Sequence, residues 1–145
     1  MAVRANNDTP AELSPQEALV YAMVAVAAAD RNISEDELTR MGSMVRELPA
    51  FRGIEDTWLN REAQGCGRIL SQPDGVKSVV RMIAAALSPP LRETAYALAA
   101  EVAASDLAIK PDESNFLSLL AEGLQLDALV RTALERSAQA RHRAV

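Results

Sequence analysis

The chain has 145 residues, of which 49% are hydrophobic and 24% charged, the composition of one globular domain and not of a disordered tail. Only 3% are aromatic while alanine occurs 27 times, a balance that favours helices and excludes an all-β fold. One cysteine, Cys66, one histidine, His142, and a net charge of −5 exclude an internal disulfide, a thiolate zinc cluster and a histidine triad, and argue against nucleic-acid binding.

Residues 1–13 lack an apolar secretion segment and read as a flexible N-terminal segment ahead of one helical domain over 14–145. Ser14-Pro15-Gln16-Glu17 is a capping box with proline at the first helical position, and predicts a helix to about Ala29. Its apolar run, residues 18–29, is too short to span a bilayer. Ser34-Glu35-Asp36-Glu37 repeats the capping box and opens a second helix to about Leu48. A loop containing Gly53 follows over 49–54. The third helix, about 55–70, is weakened by Gly65 and Gly67, each costing about 1 kcal/mol relative to alanine. Pro73-Asp74-Gly75 breaks the chain before a fourth helix over 76–87. Ser88-Pro89-Pro90 starts a fifth, to about Ser105, and Pro111-Asp112-Glu113 a sixth, ended by Gly123. The last, about 127–141, frays at its end.

An internal repeat organises these elements. Shifted by 76 residues, Val26-Ala27-Ala28-Ala29-Asp30 falls on Val102-Ala103-Ala104-Ser105-Asp106, Ile33 on Ile109, Asp36 on Asp112, Glu37 on Glu113 and Leu48 on Leu124. Each copy is an alanine-rich helix, an Asp, two residues, Ile, three residues, Glu, then another helix, which is a helical hairpin. The expected fold is all-α: a single compact domain of about seven helices built on two pseudo-twofold-related helical hairpins. Ala18, Ala22, Ala25 and Ala29 share one face of the first helix, and Ala95, Ala99 and Ala103 one face of the fifth. Small residues allow close approach of helix axes, so these two helices are expected to meet at the centre. Leu38, Met41, Val45 and Leu48, with Phe116, Leu117, Leu120 and Leu124, close the core.

The repeated acids are the candidate site. Asp30 and Asp106 stand at helix ends, where the macrodipole disfavours negative charge. Glu37 and Glu113 stand in the first turn of the following helices. A divalent cation would compensate the aspartates, and carboxylates suit calcium or magnesium. Alternatively the acids only cap: Asp30 in an Asx-turn, Glu37 in the box with Ser34, Glu113 at its helix N-terminus. An EF-hand is excluded, because Glu35 stands where the loop needs glycine and Met41 where it needs a bidentate Glu. Cys66 has no neighbouring motif to lower its pKa and reads as buried and idle. Trp58 reads as packing on a helix face. Arg131, Arg136, Arg141 and Arg143 make the last helix locally basic, by default a solvated helix end.

Both copies resemble the signature of the tellurite-resistance TerB family. There, an alanine-rich helix ends in Ala-Asp-Gly, followed by Ile and an acidic pair opening the next helix. The matching stretches are Ala28-Ala29-Asp30-Arg31-Asn32-Ile33 with Asp36-Glu37, and Ala104-Ser105-Asp106-Leu107-Ala108-Ile109 with Asp112-Glu113. The resemblance runs from about Pro15 to Leu126. It implies a seven-helix cytoplasmic domain, linked to stress responses and membrane-associated complexes, with metal binding through surface acids. The glycine after each Asp is replaced here, by Arg31 and Leu107, which removes a left-handed turn residue from both copies. Arg31 also brings a cation of the chain's own to the first turn.

The expectation is therefore a non-enzymatic TerB-like module of a stress or tellurite-resistance system. Asp30, Glu37, Asp106 and Glu113 are its metal residues, for calcium, magnesium or zinc; no catalytic residue and no other cofactor are expected. The partner is a protein, within a membrane-associated complex, with no nucleic acid and no direct membrane insertion. The alternative is a protein-interaction scaffold in which the acids only cap helices. A carboxylate-based hydrolase is disfavoured because no other polar catalytic cluster accompanies the acids.

Overall fold

Helix starts follow their local signals closely. The computed structural model describes residues 12–30, 33–105 and 111–145; residues 1–11, and with them most of the expected flexible segment, lie outside the described residues, as do 31–32 and 106–110. The helices are α1 (Pro15–Ala27), α2 (Glu35–Glu47), α3 (Asp56–Leu70), α4 (Gly75–Ala86), α5 (Pro89–Ala104), α6 (Pro111–Gly123) and α7 (Ala128–Arg141), with short 3₁₀ turns at Ala28–Asp30 and Pro49–Phe51. No strand occurs among the described residues. The fold is all-α, as the composition requires.

The capping boxes form as expected. Ser14 Oγ accepts the Glu17 N–H at 3.1 Å while Glu17 Oε1 accepts the Ser14 N–H at 2.7 Å, which satisfies two of the N–H groups that a helix start leaves unpaired. The first helix stops at Ala27, two residues short of expectation, and its last carbonyls are taken up in the tighter turn Ala28–Asp30, a common way to finish a helix. The third helix runs unbroken through both glycines. Gly65 has a packing role there: a Cβ at this position would stand 3.0 Å from the Tyr21 hydroxyl of α1. Close approach of the two helices offsets the low propensity.

Burial explains the arrangement around α1. Every residue from 18 to 27 is buried, and a helix apolar all round belongs at the centre of a bundle. α1 packs most extensively on α5, and further on α3, α4 and α6. Ala18, Ala22 and Ala25 on α1 and Ala95, Ala99 and Ala103 on α5 are all buried, so the expected adjacency of the first and fifth helices is present. Around them Leu19, Met23, Met41, Ile83, Leu120 and Leu124 are fully buried, each contributing about 1.5–3 kcal/mol of transfer free energy. Phe116 and Leu117 are buried too, and Leu38, Leu48 and Trp58 are partly buried against the same core.

One guanidinium joins three segments. Arg92 of α5 donates to the carbonyls of Ala84 at 2.8 Å, Leu87 at 3.2 Å and Leu124 at 3.3 Å. It thereby satisfies carbonyls at the end of α4 and just after α6 that have no helical partner. Among the described residues, no helix is long and apolar enough to cross a membrane.

Candidate functional site

The turn Ala28–Asp30 packs on α6, which brings the first repeat's turn and the second repeat's later helix to one end of the bundle. Between them and the α3–α4 connection lies a groove of about 1070 Å³. Ala25, Ile33, Leu70, Val76, Phe116 and Leu119 make it apolar, and Gln72, Asp112 and Asn115 add polar groups. Val76 and Leu119 are 38% and 41% exposed, large apolar side chains left open to water on its wall. Isolated exposed apolar residues are ordinary; two on the wall of one groove mark a surface suited to binding.

The four acids do not form one cluster among the described residues. The Asp30 side chain and the whole of Asp106 lie outside them. Glu37 is engaged as a cap: its Oε1 accepts the Ser34 N–H at 3.0 Å, and its own N–H donates to Ser34 Oγ at 3.1 Å. Glu113, in the first turn of α6, is only 3% exposed and its carboxylate is not free. A buried charge persists only when compensated, so Glu113 belongs to the packed interior and not to an open surface. The two glutamates also face different spaces. Glu37 lines a small pocket of about 200 Å³ with Glu101 and His142, whereas Asp112, the neighbour of Glu113, lines the large groove. No group of three or more His, Cys, Asp or Glu side chains converges on a metal position among the described residues. Glu37 and Glu113 face different spaces and so do not hold one ion between them.

Two polar networks join α7 to α5 through partners about 40 residues apart, which gave no signal in the sequence. Tyr96 of α5 donates its hydroxyl to Glu135 of α7, which also accepts from Arg131 Nε at 3.1 Å; Arg131 reaches Ser118 of α6 at 3.0 Å. Burial and the Glu135 carboxylate together push the Tyr96 phenol well above its ordinary range. Glu101 of α5 accepts from both Arg141 and His142. Burial tends to raise the Glu101 carboxyl, but these two partners outweigh it and hold it below its ordinary value. Of the four arginines at this end, Arg136, Arg141 and Arg143 are exposed, while Arg131 pairs with Glu135 and Arg141 with Glu101. α7 accordingly stays helical to Arg141.

Cys66 is buried, its Sγ 3.9 Å from the Tyr21 carbonyl, and burial pushes its thiol up to about 12. A thiol so raised supplies almost no thiolate near neutral pH.

Among the described residues the chain is an all-helical bundle with an alanine-rich centre and an apolar groove at one end. The family described as Tellurite resistance protein TerB matches residues 16–136. The chain belongs to the TerB family. No curated protein and no solved structure matches it.

Proposed function

We propose that the chain is a non-enzymatic binding module of a tellurite-resistance or stress-response system, acting in the cytoplasm through the end of the bundle where the two repeats meet. The observation that carries this reading is the apolar groove, with Val76 and Leu119 exposed on its wall. The partner is a protein presenting an apolar segment, within a membrane-associated complex. A non-enzymatic role is supported by the state of two reactive side chains: Cys66 is buried with a raised pKa, and His142 is held by Glu101. The test is tellurite tolerance in a strain lacking the chain. The natural sequence should restore tolerance, and a Val76→Lys, Leu119→Lys variant of unchanged thermal stability should not. Equal tolerance with both chains would overturn the groove as the working surface.

A second function, divalent-cation binding at Asp30, Glu37, Asp106 and Glu113, is supported by the duplicated spacing and the family membership. With Glu37 capping α2 and Glu113 buried, the two aspartates carry this reading. Calcium, magnesium or zinc would be bound weakly and in competition with salt. Calorimetry with each ion should show millimolar or tighter binding by the native chain, lost in a folded Asp30→Asn, Asp106→Asn variant. Absence of binding, or equal binding by the variant, leaves the acids as helix caps and the chain as an interaction scaffold alone.

A further inference from the structure

The attachment of α7 differs from that of the central helices. Its one buried residue, Ala138, packs with Ala100 and Ala104 of α5 in a small cluster separate from the main core. Leu134 is only partly buried, and Leu129 at the start of the helix is 77% exposed. Its principal neighbour is α5. Beside it, Ala100, Ala104, Leu117, Ser118, Arg131 and Glu135 line a pocket of about 150 Å³ between α5, α6 and α7. α7 thus lies along α5 with Leu134 against the main core, but it buries a single residue, and polar contacts hold it at both ends. Arg131 and Glu135 engage Ser118 and Tyr96 near its start; Arg141 and His142 engage Glu101 at its finish.

We propose that α7 is a strap that opens and closes on α5 as a unit, fastened at its end by the clasp of Glu101 with Arg141 and His142. Segments with few buried apolar contacts open at lower free energy than the core, and half-exposed ion pairs are weakened by salt and water. Opening uncovers the Ala100–Ala104 face of α5 and the Tyr96 hydroxyl.

Hydrogen–deuterium exchange on the full chain tests this. Amides of α7 should exchange at least about tenfold faster than those of α1, the signature of local opening. Sodium chloride at about 1 M, where screening is nearly complete, should accelerate α7 several-fold more than α1. Glu101→Gln should do the same at low salt, with α1 protection kept. A double variant, Arg141→Ala with His142→Ala, repeats the test from the other side of the clasp without touching α5. Exchange of α7 in step with α1 in the natural chain would overturn the strap. Unchanged α7 exchange in the double variant, or acceleration equal in all helices, would overturn the clasp.

Discussion

Tyr96, buried in α5, donates its hydroxyl to Glu135 of α7, 39 residues further along the chain. The bond gives a buried phenol a partner and a half-buried carboxylate a second donor beside Arg131, and hydrogen bonds to charged groups are worth more than neutral ones. Tyr96→Phe keeps the ring and removes only this bond. It should destabilise the fold by about 1–2 kcal/mol, read from the midpoint of urea denaturation at unchanged slope. A midpoint equal to that of the natural chain would mean the bond contributes nothing net.

The close contact of α1 and α5 depends on small side chains. Ala22 and Ala99 are fully buried, so Ala22→Leu and Ala99→Leu must push side chains or helices apart. Each should cost about 1–3 kcal/mol by overpacking. Chemical denaturation of both variants checks this; unchanged stability in both would show that the interface has slack.

The glycines of α3 should respond differently to alanine. A Cβ at Gly67 meets nothing within 4 Å, so Gly67→Ala should stabilise by about 0.5–1 kcal/mol through helix propensity alone. Gly65→Ala gains the same propensity but presses on the Tyr21 hydroxyl, and its gain should be smaller or reversed. Paired thermal melts separate the two; equal gains would refute the packing role of Gly65.

Acid should loosen the α5–α7 contact at Glu101. Its folded carboxyl lies below the ordinary value of 4.5 because Arg141 and His142 together outweigh burial. A depressed carboxyl contributes stability that is present above its unfolded value and is lost as pH falls through the folded one. The difference in stability between the natural chain and Glu101→Gln should therefore shrink as pH falls below about 4.5. With the group partly exposed, the difference should be below about 1 kcal/mol. A difference independent of pH down to acid unfolding would remove the clasp's electrostatic component.

Much of this protein is written locally. The Ser14–Glu17 and Ser34–Glu37 boxes, the prolines opening α1, α5 and α6, and the alanine spacing on α1 and α5 act within a few residues, through backbone hydrogen bonds and side-chain size. They determine seven helices, and together with the apolar pattern they determine which helix is central. Tertiary structure decided what no local rule encodes. Glu37 and Glu113, equivalent in the repeat, ended in different surroundings, one a half-exposed cap and the other buried, because α2 and α6 meet different neighbours. Arg141 reads as a solvated charge, and Glu135 as a partner of Arg131 alone, until α7 lies along α5 and brings Glu101 and Tyr96 to them. The groove likewise exists only because the turn Ala28–Asp30 packs on α6. Such features arise from residues tens of positions apart, whose proximity depends on how whole helix faces bury their apolar surface.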